Sequence, residues 1–111
     1  MHEPWLIAID IDGTLVHDDG HLSHNVAREV QRVVELGHHV IVASGRAAAN
    51  AVPVVLDVGI KAGHVVCSNG AVTVELDASH PNGYHVREVI GFDPGPVLTK
   101  LIEKLPEAHF A

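Results

Sequence analysis

The sequence is poor in aromatic residues, cysteine and positive charge. Phe, Trp and Tyr together make up 4% of the 111 residues, so any core must be built from aliphatic side chains. A single cysteine, Cys67, excludes an internal disulfide and a cysteine-built zinc site, and it suits a reducing compartment. Seven Lys and Arg stand against 14 Asp and Glu, a net charge of −7 with histidine neutral. That balance opposes attraction to nucleic acid or to an anionic membrane surface. No apolar run approaches the roughly 18 residues of a membrane span. The first run, Trp5 to Ile9, is cut by Asp10 before it could form a signal-peptide core. These absences lead to the expectation of a cytoplasmic chain with no nucleic-acid and no membrane partner.

What is present is aliphatic and β-branched. Hydrophobic residues make up 47% of the chain and 18 residues are Val, a composition that fills buried strands and excludes intrinsic disorder. The length allows one domain-sized core. Ten histidines are scattered from His2 to His109 without a His-Glu-x-x-His or similar ligand spacing, so they are expected on the surface.

Hydrophobic periodicity places the elements. Trp5 to Ile9 reads as a strand buried on both faces. Ser23 can cap a helix with Val26, Val30, Val33 and Val34 on one stripe and Gly37 as its stop. His38 to Ala43 repeats the strand pattern, Ser44-Gly45-Arg46 turns, and Ala47 to Val58 is helical, with Pro53 tolerable in or near a first turn. His64 to Ser68 is a third strand. Crossovers of this length imply parallel pairing, and the right-handed rule puts both helices on one face. The fold class is α/β. From Ala71 the pattern alternates strictly, Val72, Val74 and Leu76 against Thr73, Glu75 and Asp77; a Pro81-Asn82-Gly83 turn then leads into Tyr84 to Ile90, an antiparallel hairpin. Asp93-Pro94 opens a last helix with Val97, Leu98, Leu101, Ile102 and Leu105 on one side, ended by Pro106.

The chemistry concentrates at Asp10-Ile11-Asp12-Gly13-Thr14. Open parallel sheets bind ligands beyond the carboxyl ends of their strands, which is where this segment falls. Two carboxylates brought together in a crevice require a compensating cation or proton. Oxygen donors without Cys or His favour Mg²⁺, which keeps several waters and works with phosphate. A plain turn with an exposed Asx cap is the structural alternative. A calcium loop fails, because counting from Asp10 puts Leu15 where glycine is needed and His21 at the twelfth position. Ser44 could cap a helix instead of binding a ligand, and Arg46 could contact phosphate or leave its head in solvent.

The order apolar strand, Asp-x-Asp-Gly-Thr-Leu, helix, apolar strand, Ser-Gly-Arg resembles the haloacid dehalogenase superfamily of phosphotransferases. The further Cys67-Ser68-Asn69-Gly70-Ala71 followed by a hairpin is similar to its Cof-like branch, the class IIB sugar-phosphate phosphatases with a large inserted cap. The resemblance implies a partial Rossmann-like core of three parallel strands over residues 1–70, then a hairpin and helix opening the cap over 71–111. It further implies Asp10 as the nucleophile that forms an aspartyl-phosphate, and Asp12 as the general acid/base. Mg²⁺ would be held by the Asp10 side chain and the Asp12 main-chain carbonyl, and Ser44 would bond the phosphoryl oxygens. Gly13, Thr14, Gly45, Arg46 and Asn69 are further candidates for contact with a small phosphorylated metabolite.

The chain departs from that pattern downstream of the hairpin. The family's lysine and its Gly-Asp-x-x-x-Asp segment are missing, since Lys61, Lys100 and Lys104 all stand at other places in the order. A truncated chain of weak or no activity is therefore expected, the alternatives being a non-catalytic α/β fragment or a half-enzyme completed by a partner chain. The first strand would also be an open edge with an uncovered apolar face. Either the chain self-associates there or the last helix folds back over it, and Ala108 to Ala111 would begin a further strand.

Overall fold

A computed structural model describes residues 2–110. Strands β1 (Leu6–Ile9), β2 (His39–Ala43) and β3 (His64–Cys67) alternate with helices α1 (His24–Glu35) and α2 (Ala48–Val58). A single 3-10 turn over Ser68–Gly70 leads into β4 (Val72–Leu76), β5 (Tyr84–Val89) and α3 (Gly95–Lys104). The strands form one sheet in the order β1-β2-β3-β4-β5, so every strand lies beside its neighbour in sequence. The first three pair in parallel, as crossovers through helices require, and the last two run antiparallel. The hairpin is thus joined to the core: β4 pairs with β3, with Val65 opposite Val74.

Local signals set the helix ends. The Ser23 hydroxyl accepts from the Val26 N–H at 3.2 Å, satisfying a donor that the first turn leaves free. Helix α2 stops at Gly59 with φ of 97°, and a Cβ there would lie 2.5 Å from Gln31 Nε2. Gln31 Nε2 donates to the Val58 carbonyl at 2.9 Å, so the missing side chain at Gly59 lets α1 pin the end of α2. Pro53 is the sixth residue of α2, inside the helix and not in its first turn as the sequence suggests. Its ring faces solvent while Ala51, Val52, Val55 and Val58 are buried, and that packing outweighs the roughly 3 kcal/mol an interior proline costs.

The core lies on one face of the sheet. Val40, Val42, Val65, Cys67, Val74 and Leu76 meet Val30 from α1 and the buried stripe of α2, closed at one end by Ile11, Leu15 and Val16. The alternate residues Leu6, Ala8, Ile41, Ala43 and Val66 form the opposite face, which neither α1 nor α2 covers. β1 is therefore not buried on both faces. It is an edge strand, Leu6 is 68% exposed and Ala8 is exposed, because nothing in the described residues pairs beyond it. The last helix does not supply the cover. No residue of α3 is buried, and the radius of gyration is 17.0 Å against roughly 13 Å for a compact chain of this size. Ala108 to Phe110 form no strand, and Ala111 lies outside the described residues. None of the ten histidines is buried.

Two outcomes follow from this packing. Ile11, fully buried, should lose about 2–5 kcal/mol of stability on substitution Ile11→Ala, whereas Leu6→Ala should stay within about 0.5 kcal/mol, both read by urea denaturation. Asp77 in the hairpin loop has its pKa held down to about 2, first by the Ser79 hydroxyl, then by the Ser79 N–H, with His85 adding to both. A depressed carboxyl pKa stabilises the fold above its unfolded value near 4, and the contribution is lost as pH falls towards 2. Stability of Asp77→Asn should accordingly fall less between pH 4 and pH 2 than that of the parent chain.

Candidate active site

Three turns meet at the carboxyl ends of β1, β2 and β3. The first is pinned by Ile11, whose carbonyl accepts from the N–H groups of Thr14 (3.2 Å), Leu15 (2.9 Å) and Val16 (3.1 Å). Gly13, with φ of 74°, turns the chain so that its N–H reaches the Val16 carbonyl at 3.0 Å. Ile11 is buried while Asp10 and Asp12 on either side are exposed, so burying one side chain presents two carboxylates.

The second turn begins at Ser44, which is only 6% exposed. Its N–H donates to the Val66 carbonyl at 2.9 Å and its Oγ accepts from the Arg46 N–H at 3.0 Å. The hydroxyl proton has no acceptor among the described residues, so it remains available to a ligand oxygen. Ser44 does not cap α2, whose N-cap is Ala47. The pairing of Ile9 with Val42 puts Ala43, not Ser44, level with Asp10, and Ser44 stands one residue beyond.

The third turn stores strain. Ser68 and Asn69 have φ of 50° and 55°, a left-handed region that costs about 1–3 kcal/mol per non-glycine residue. It is held by the Ser68 N–H on the Arg46 carbonyl (2.8 Å) and the Asn69 N–H on the Ser44 carbonyl (3.1 Å). Gly45 makes this approach possible, since a Cβ there would lie 3.0 Å from Asn69 Oδ1.

Asp10, Ser44, Gly45 and Asn69 thereby line one open depression of about 370 Å³, with Ala43, Val66 and Gly70 completing it. Gly13 and Thr14 line a different depression, with His17, Asp18 and Val26. Asp12 and Arg46 form an ion pair: Nη2 donates to Oδ1 at 2.6 Å and Nε donates to Oδ2 at 3.0 Å. The guanidinium hydrogen bonds draw the Asp12 carboxyl below its ordinary value and raise Arg46. The Arg46 head is thus held by Asp12 and not left in solvent. The only signal for the pairing was opposite charge on turns that follow two adjacent strands.

For a divalent cation the donor set is two oxygens. No hydrogen bond among the described residues engages the Asp10 carboxylate or the Asp12 carbonyl. No cluster of three or more His, Cys, Asp or Glu gathers among the described residues, at this site or any other. One carboxylate and one carbonyl suit a Mg²⁺ ion that retains most of its waters.

The three turns gather an acid, a buried hydroxyl and an amide at the strand ends, the place where an open α/β sheet binds a ligand. Comparison with known proteins gives the family. The family model described as haloacid dehalogenase-like hydrolase matches residues 7–90, and the chain belongs to that family. A Streptococcus pyogenes serotype M6 protein, named as a phosphatase, is 32% identical over 90 residues, covering 79% of this chain and 32% of its own. The Bacillus subtilis 5-amino-6-(5-phospho-D-ribitylamino)uracil phosphatase YitU is 46% identical over 44 residues, 40% of this chain and 16% of that protein. Among solved structures, a haloacid dehalogenase-like hydrolase from B. subtilis superposes with a TM-score of 0.69 at 27% identity, over 92% of this chain and 33% of its own. The subclass IIB sugar phosphatase BT4131 shares the fold, with a TM-score of 0.65 at 20% identity over 92% of this chain and 38% of its own. The chain spans about a third of the length of the Streptococcus relative and of the B. subtilis structure.

Removing the guanidinium tests the electrostatic link across the site. In Arg46→Met the Asp12 carboxyl should titrate higher than in the parent, back towards 3.8, as followed by carboxyl carbon chemical shifts. An unchanged titration would mean that the pair does not persist in solution.

Proposed function

We propose that the chain is the nucleophile-bearing part of a Mg²⁺-dependent phosphatase that hydrolyses phosphate monoesters of the sugar-phosphate type. The observation that carries this reading is the shared depression of Asp10, Ser44 and Asn69, supported by the names of the relatives. An Asp10 carboxylate oxygen would attack phosphorus as the ester oxygen leaves, forming an aspartyl-phosphate. Asp12, protonated from solvent once it is free of Arg46, would give that proton to the departing oxygen, then accept one from the water that attacks the aspartyl-phosphate at phosphorus and regenerates Asp10. The free proton of the Ser44 hydroxyl would bond a phosphoryl oxygen, and the Asn69 side chain at the rim would contact the same group. The Asp10 carboxylate and Asp12 carbonyl would hold Mg²⁺, whose charge reduces the repulsion between a carboxylate and an anionic ester.

The purified chain should hydrolyse p-nitrophenyl phosphate slowly, only with Mg²⁺, and Asp10→Asn should abolish this. Equal background in both proteins would favour a non-catalytic module. Turnover restored by a second polypeptide carrying the lysine and the acidic segment would favour a half-enzyme.

The bare sheet face supports a companion proposal, self-association through Leu6, Ala8 and Ile41 beside the free edge of β1. Sedimentation velocity should show concentration-dependent dimers that Ile41→Lys disperses. A parent chain that stays monomeric at high concentration would remove the proposal.

A further inference from the structure

The Asp12–Arg46 pair raises a conflict within the proposed reaction. The guanidinium engages both oxygens of the Asp12 carboxylate and so competes with the leaving oxygen for that group. Three features of the pair bear on how it opens. The Arg46 backbone is fixed on both sides, its N–H by Ser44 Oγ at 3.0 Å and its carbonyl by the Ser68 N–H at 2.8 Å, so only the side chain has freedom to swing. Both side chains are partly exposed, 30% for Arg46 and 60% for Asp12, which makes the pair weak in net terms. The same turn that carries Arg46 carries Ser44 and Gly45, which line the depression beside Asp10, and no Lys or Arg lines that depression.

We infer that Arg46 is a ligand-operated latch: in the empty site it holds Asp12, and a phosphoryl dianion entering the depression draws the guanidinium onto itself and releases the Asp12 carboxylate. The inference rests on the proposed function and assigns Arg46 a role that deepens it. The driving force is a change of acceptor. A phosphoryl group offers the planar donor fork of Arg a bidentate partner with more charge than one carboxylate. Arg46 is thus both a contact for the phosphorylated ligand and the residue that makes Asp12 free only when a ligand is present. No bond is made or broken in the exchange, and the net charge of the protein is unchanged.

The test uses the full chain, inorganic phosphate as the probe and Mg²⁺ throughout. The Arg46 Nε–H signal is assigned by its loss in Arg46→Met. On titration it should shift together with the Ser44 and Gly45 amides and saturate at the same phosphate concentration, with sodium chloride at matched ionic strength as control. Asp12→Asn, which leaves the guanidinium without its anionic partner, should tighten phosphate by up to about five-fold. In the Arg46→Met background the same substitution should tighten it by less. Amides that shift while Arg46 Nε–H stays fixed would overturn the latch and leave the phosphate site standing. Amides that do not respond at all would overturn the latch together with the proposed site.

Discussion

The structure depends on the burial of one side chain. Ile11 sits in the core at the end of β1, and its carbonyl gathers three successive N–H groups, so the backbone on either side has little freedom. Asp10 and Asp12 are exposed because Ile11 is not. The hydrophobic energy of Ile11, Leu15 and Val16 holds this turn in place, and the same three residues close one end of the core. Fold stability and site geometry are therefore the same interaction viewed from two sides of the backbone.

The electrostatics are arranged locally. With a net charge of −7, an anionic ligand gains nothing from the field of the whole molecule. What the site offers is a buried hydroxyl with an unused proton, a strained turn that brings Asn69 to the rim, and one guanidinium within reach. The strain at Ser68 and Asn69 is held by backbone hydrogen bonds to the turn after β2, so the second and third turns support each other. Gly45 is the residue that lets them come this close.

The sheet is asymmetric for the same reason that the site is open. Both crossover helices lie on one face, as right-handed connections demand, and the opposite face of Leu6, Ala8 and Ile41 is left apolar and bare. Helix α3 carries its own apolar stripe away from the core and buries none of it. The chain spans about a third of the length of the Streptococcus relative and of the B. subtilis structure.

The order of elements, the parallel pairing of β1 to β3, the capping by Ser23 and the aspartates at the strand end were all legible in the sequence, because each is written in local periodicity or in adjacent residues. The edge position of β1 was expected from the order of elements and not from its own residues: an apolar run records what a strand is suited to bury, while neighbours elsewhere in the chain decide whether it does. The interior position of Pro53 likewise depended on packing by residues on its helix's other side. Tertiary structure alone decided the bond between Asp12 and Arg46, 34 residues apart. It also separated Gly13 and Thr14 from the depression that holds Asp10. Sequence determines which groups stand at the ends of the strands; the directions in which turns aim them arise from hydrogen bonds between turns that are distant in the chain.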